Sequence, residues 1–176
     1  MKNEIYSPRE DSYFLAQVLE DQIVNLNLTV LEIGSGSGIQ LETLFELGVK
    51  KQNIYSCDIN IDAVENCENL GFNCIQSDLF ENINEKFDFI IFNPPYLPED
   101  SLELESSKII TTGGKKGNEI INEFLKQAEN HLNENGKILL VTSSLTEDPN
   151  FLDYKKKIIA RKKMFFEELI IWELRL

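Results

Sequence analysis

Asn93-Pro94-Pro95-Tyr96 joins residue types whose shared chemistry is narrow. Proline fixes φ and has no backbone donor. A residue that precedes a proline is pushed toward extended geometry. Asn93 and Pro94 are therefore stiff, and the Pro94 carbonyl is not expected to be consumed by a helix. A rigid side-chain amide, an available carbonyl and a flat ring suit a planar NH2 group. The two oxygens accept its hydrogens and the ring of Tyr96 covers its face. Such a site would hold an amide or an exocyclic amine for alkylation at nitrogen.

A second constellation lies upstream. Thr29 to Ile33 reads as a strand, and Gly34-Ser35-Gly36-Ser37-Gly38 follows at once. Glycines at a strand-to-helix turn let a ligand approach the backbone closely. The dinucleotide fingerprint would need glycine where Ile39 stands. The next strand pattern ends at Asp58, 20 residues after Gly38, the separation expected of a carboxylate that binds a ribose. Asp78, in Gln76-Ser77-Asp78-Leu79, ends the strand after that. Either acid alone is equally well read as a cap. Two acids at strand ends beside a glycine loop favour binding.

These residues need a scaffold, and apolar runs alternate with helical periods to supply one. Strands are predicted at 29–33, 53–58, 72–76, 87–92 and 136–142, and helices at 11–25, 38–48, 61–70 and 117–134. Asn60 is a cap for the third helix and Gly71 suits its end; Gly136 is read as ending the fourth. Alternation of this kind gives a parallel sheet with helices on both faces. Beyond Pro149 the runs 160–166 and 168–175 predict a closing antiparallel hairpin. Residues 97–118 read as a long loop placed to cover the Asn93 site.

The 176 residues are read as one domain, 1–176, with 42% hydrophobic residues and no apolar run long enough to span a bilayer. Cys57, Cys67 and Cys74 lack metal-site spacing and read as reduced thiols of a cytoplasmic protein. No metal site is expected. The single histidine, His131, reads as a surface residue. A net charge of −13 opposes sequence-independent binding to phosphate backbones. The basic stretch 155–163 reads first as a solvated face or edge strand, and second as a contact for a substrate.

Glu32-x-Gly34-x-Gly36-x-Gly38 with Asp58, Asp78 and Asn93 to Tyr96 resembles the class I methyltransferases that use S-adenosylmethionine. More narrowly, it resembles the HemK/PrmC family of protein-(glutamine-N5) methyltransferases. Tyr6-Ser7-Pro8-Arg9-Glu10-Asp11-Ser12, the segment Thr111 to Ile120 and the closing Arg161 to Leu174 resemble the short archaeal and eukaryotic branch. That branch often has Trp-Ala where Thr111-Thr112 stands here. Bacterial relatives carry an N-terminal docking domain, which this chain is expected to lack.

The resemblance implies a Rossmann-like α/β fold with a seven-stranded, mostly parallel sheet. It implies S-adenosylmethionine held by Glu32, Gly34, Gly36, Gly38, Asp58, Asp78 and Leu79, with Ser12 in a segment that closes over it. It implies an acceptor gripped by Asn93, Pro94, Pro95 and Tyr96. The acceptor would be the glutamine of a Gly-Gly-Gln loop in a class I translation release factor. The implied partner is a small zinc-binding activator, paired along an edge strand near Phe72 to Gln76. Because the tetrapeptide reads an NH2 group and not its owner, N6-adenine and protein-lysine acceptors stay open, as does a scaffold without activity.

Overall fold

A computed structural model of the chain describes residues 5–99 and 111–176. Strands β1 (Val30–Ile33), β2 (Ile54–Asp58), β3 (Asn73–Gln76), β4 (Phe87–Phe92), β5 (Leu132–Ser143), β6 (Lys155–Lys163) and β7 (Glu168–Arg175) form one sheet. Its order is β3-β2-β1-β4-β5-β7-β6. The first five strands in chain order pair in parallel, and β7 is antiparallel to both β5 and β6.

Helices α1 (Glu10–Gln22), α2 (Ile39–Glu46) and α3 (Ile61–Asn69) cover one face, and α4 (Glu119–Ala128) covers the other. The sequence of β4 shows why both faces fill. Side chains alternate across a strand: Phe89 and Ile91 join the first core, Ile90 and Phe92 the second. From Phe89 to Phe92 the run has no polar interruption, as a strand buried on two sides requires. The Asn60 side chain accepts from Asp62 N at 3.0 Å and so caps α3.

Topology brings the two motifs together. The chain runs outward from β1 to β2 and β3, then crosses back to β4 on the other side of β1. Ligands of open α/β sheets bind at such a reversal, outside the carboxyl ends of the strands. Ile33 pairs with Phe92. The residues that follow, Gly34 and Asn93, therefore leave the sheet side by side. Asp88 fixes the other end of β4. One oxygen accepts from Thr29 N at 2.8 Å and Thr29 Oγ1 at 2.9 Å, the other from Asn133 Nδ2 at 2.8 Å.

Several predicted boundaries are corrected. The helix predicted at 117–134 ends at Ala128, a 3-10 turn covers Glu129–His131, and β5 begins at Leu132. Leu132 continues the helical spacing of Ile121, Leu125 and Ala128, but it pairs with Phe87 in the sheet. Gly136 lies within β5, and a Cβ there would crowd the carbonyl oxygens of Asn133 and Phe87. The run predicted at 160–166 is instead β6 at 155–163, because an edge strand needs no apolar face and carries lysines that deter further pairing. α1 ends three residues earlier than 25, at Gln22. His131 is half-buried, not a plain surface residue. Its ring stacks on Phe80 with centroids 4.4 Å apart. Within the predicted 97–118 loop, residues 100–110 lie outside the described residues, and 111–117 pack against the Asn93 motif.

Candidate active site

A cavity of about 690 Å3 opens at the carboxyl ends of β1 and β4. Of the residues singled out in the sequence, Ser12, Glu32, Gly34, Gly36, Asp58, Asp78, Leu79 and Asn93 to Tyr96 line it. Gly38 does not. It starts α2 with φ 84°, and a Cβ there would meet the Leu70 side chain and the Cys67 thiol. Its role is to let the loop turn against α3.

Asp58 braces the loop as well as facing the cavity. One carboxylate oxygen accepts from Gly36 N at 2.8 Å and the other from Asn60 N at 2.9 Å. The Ile59 backbone donates to the carboxylate as well, which leaves acceptor capacity for a hydroxyl. Burial pushes its pKa up, and the backbone donors pull against that. Glu32, buried in β1, has an oxygen with no partner among the described residues. Burial first, then Asp58 and Cys74, hold its pKa well above the ordinary carboxyl range. A cation placed there would satisfy it. Asp78 is exposed beside the cavity. Leu79 takes a left-handed φ of 46°, and its carbonyl accepts from Ser77 Oγ at 3.0 Å and Cys57 Sγ at 3.3 Å. Strain at a residue without glycine's freedom is characteristic of ligand clamps.

Asn93 lines the cavity directly after the end of β4. Its Nδ2 donates to Asp11 Oδ2 at 2.8 Å, and its Oδ1 is buried with no partner among the described residues. The carboxylate accepts only, so it fixes which way the amide points. Asp11 also accepts on Oδ1 from the Tyr6 hydroxyl at 2.9 Å and from Ser12 Oγ at 3.4 Å. Sequence reasoning named Tyr6 and Asp11 only within the segment that resembles the short branch and gave neither a role in the site. Their place in the same short segment as Ser12 was the available signal. Burial first, then the Asp11 carboxylate, pushes the Tyr6 phenol up. Burial likewise keeps Tyr96 neutral, reinforced by Asp11. Ser12 ties the segment to α2 through its carbonyl, which accepts from Gln40 Nε2 at 2.9 Å.

The Asn93 motif is clamped from behind. Leu97 N donates to Thr111 O at 3.0 Å, and Gly113 N donates to Leu97 O at 2.9 Å. A Cβ on Gly113 would collide with the carbonyl oxygen of Pro95, and one on Gly117 with that of Tyr96. Glycine at both Gly113 and Gly117 is thus demanded by backbone lying on backbone. Thr146 Oγ1 completes the clamp by donating to the Tyr96 carbonyl at 2.8 Å. The acids lining the cavity are Asp11, Glu32, Asp58, Asp78, Glu119 and Glu123, with no lysine, arginine or histidine among the described residues.

Comparison with known proteins agrees with this geometry. The methyltransferase small domain model matches residues 10–163. MJ0928 of Methanocaldococcus jannaschii, provisionally named a protein N5-glutamine methyltransferase, is 39% identical, with 96% of this chain and 90% of that protein covered. Human methyltransferase HEMK2 is 30% identical over 80% of this chain and 72% of its own length. A solved chain from the E. cuniculi Mtq2-Trm112 complex, which methylates the eRF1 translation termination factor, superposes with a TM-score of 0.78 at 27% identity. It covers 97% of each chain. The loop, the two strand-end acids and the clamped Asn-Pro-Pro-Tyr turn are thus found in a chain that belongs to the methyltransferase small domain family and, within it, to the protein-(glutamine-N5) methyltransferases of the HemK/PrmC type.

Proposed function

We propose that this chain transfers a methyl group from S-adenosylmethionine to the side-chain amide nitrogen of a glutamine in a Gly-Gly-Gln loop of a class I release factor. The observation that carries the acceptor assignment is Asn93: one end is tied to Asp11, and the other is a buried oxygen with nothing to accept. An orphaned buried acceptor is costly unless a ligand donor fills it.

The residues present fit S-adenosylmethionine. Glu32 offers an unpaired buried oxygen beside the glycine loop. Asp58 has lone pairs left for the ribose, and Asp78 with Leu79 borders the cavity where the base would lie. The segment from Tyr6 lies over Gly36, 3.9 Å from where its Cβ would be. When bound, the sulfonium supplies a methyl group already activated for transfer. The chain's own task is positioning. An amide nitrogen is a poor nucleophile because its lone pair is shared with the carbonyl. Asn93 Oδ1 and the Pro94 carbonyl would accept its two hydrogens, drawing density toward nitrogen; as the N–C bond forms and the C–S bond breaks, one of those hydrogens would leave as a proton to solvent. Tyr96 would cover its face. Alignment of this kind can lower a barrier by roughly 7–11 kcal/mol.

The acidic cavity disfavours an adenine in a nucleic acid, whose phosphates it would repel. It does suit the ammonium of a lysine, which makes lysine the second reading. For the partner, β3 is an edge strand. Ile75 on it is 41% exposed, and Phe45, Ile59 and Ile61 are exposed near it. A small zinc-binding activator adding a strand there would cover them. Labelled S-adenosylmethionine tests the acceptor, with a release factor and the same factor carrying Gln→Ala in its Gly-Gly-Gln loop. Label on the wild-type factor alone supports glutamine. Label on both factors, or only on lysine, refutes it.

A further inference from the structure

The turn between β6 and β7 carries two phenylalanines that the fold does not use. Phe165 and Phe166 are 96% and 87% exposed. They meet edge to face with centroids 5.4 Å apart. The turn itself closes through Met164 N donating to Glu167 O at 2.8 Å. Turns favour glycine, asparagine and aspartate, so two adjacent aromatic rings need a reason outside turn geometry.

Their position supplies one. β7 is antiparallel to β5, so its first residue lies at the carboxyl end of β5. That is the edge of the sheet from which β4 delivers Asn93. The connection is direct. Ser144 N donates to Glu168 O, and Glu168 N to Ser144 Oγ, both at 2.9 Å. Two residues on, Thr146 holds the Tyr96 carbonyl. Glu167, beside Phe166, is close enough for its carboxylate to raise the pKa of Tyr6 and Tyr96. Leu145, next to Ser144 in the chain, is 47% exposed. Lys162 and the exposed Lys163 precede the aromatic tip.

We infer that this tip docks the folded body of the acceptor protein while its glutamine enters the cavity. The surface it fits is apolar at its centre and acidic where it faces Lys162 and Lys163. The inference rests on the glutamine reading above. A site that grips only an NH2 group cannot tell one protein from another, so selection must act outside the cavity. A protein is favoured over RNA on two grounds. The net charge of −13 and the acidic cavity repel phosphates. The rings also face one another's edges and do not form the parallel platforms on which bases stack.

The test compares a complete release factor with a short peptide spanning its Gly-Gly-Gln loop, using the chain together with its activator if activity requires one. In F165S/F166S, KM for the complete factor should rise about tenfold or more. Its kcat, the kinetics on the peptide and the affinity for S-adenosylhomocysteine should stay at wild-type values. Lys163→Glu should raise the same KM less. An unchanged KM for the factor, or an equal loss on factor and peptide, overturns the inference while leaving the glutamine reading intact. So does a variant that loses only binding to single-stranded RNA, or only self-association. If the wild-type chain labels neither factor nor peptide, the glutamine reading fails and the docking inference falls with it.

Discussion

Asn93 and Asp11 form the smallest unit whose removal has a clear consequence. Truncating Asn93 to alanine deletes the buried, unpartnered oxygen proposed above to accept from the acceptor amide and leaves the glycine loop untouched. A pre-organised contact of this type is worth about 2.7–4 kcal/mol. Asn93→Ala should therefore lose at least two orders of magnitude in kcat, by the same estimate, with S-adenosylhomocysteine affinity retained. Single-turnover kinetics with parallel calorimetry would check it. Asp11→Ala frees the Asn93 amide to rotate. It should fall in the same direction, and near-normal turnover would remove Asp11 from the site. Glu32 makes a prediction about protons. Its folded pKa is raised, so the fold retains a proton that the unfolded chain gives up. Stability therefore falls as pH rises from the ordinary carboxyl value through the folded one. A bound cation favours the charged form, so S-adenosylmethionine should release a proton on binding and bind more tightly as pH rises over that window. Calorimetry in buffers of different ionisation enthalpy reads this directly. Glu32→Gln should abolish the release and flatten the pH dependence of stability.

At the scale of elements, the glycine segment after residue 111 and the start of β4 are the points of strain and fixation. Gly113→Ala would drive a methyl group into the Pro95 carbonyl. Overpacking of this kind costs typically about 1–3 kcal/mol. Because the collision is with the backbone of the Asn93 turn, activity should fall more than cofactor affinity. Equal losses in both would mean that the clamp does not act on the acceptor half. Asp88 lies outside the site and should behave differently. Burial raises its pKa, but the hydrogen bonds from Thr29 and Asn133 outweigh that and leave it below the ordinary value. A depressed carboxyl contributes stability above its unfolded pKa and loses it as pH falls through the folded one. Asp88→Ala should lower neutral-pH stability by about 1–2 kcal/mol, lose less in acid, and leave kcat unchanged. A urea titration at two pH values distinguishes these outcomes.

For the whole molecule, charge and edges matter most. The cavity gathers acids and no bases among the described residues, so a cationic donor should bind better than the neutral product left after transfer. That preference should weaken with added salt. The sheet has two edges, and they are protected unequally. β6 presents Lys155, Lys156, Lys157 and Lys163, which discourage strand pairing. β3 presents an exposed isoleucine and nearby apolar side chains. We therefore expect the isolated chain to be poorly soluble or weak in cofactor binding, and co-expression with a zinc-binding activator to restore both. A soluble, fully active chain alone, seen by size-exclusion chromatography and activity together, would contradict this. Among the described residues no helix is long and apolar enough to cross a membrane.

The stiff Asn93-Pro94-Pro95-Tyr96 turn was legible in the sequence because prolines impose their geometry locally, whatever surrounds them. The glycine loop with Asp58 and Asp78 was legible for a similar reason: turn residues at strand ends follow from the pattern of β1, β2 and β3. Helix length near Leu132 was not. Periodicity records that a residue is buried and not against which partner. Nor could spacing reveal that Asp11 reaches Asn93 across 82 positions, or that Gly113 rests on the Pro95 carbonyl. Such contacts exist only once the sheet order sets β4 beside β1 and packs α1 over their ends. The sequence by itself decided which groups the turn presents. The tertiary structure decided which way the Asn93 oxygen points, because only a second segment, folded against the first, holds its amide in place.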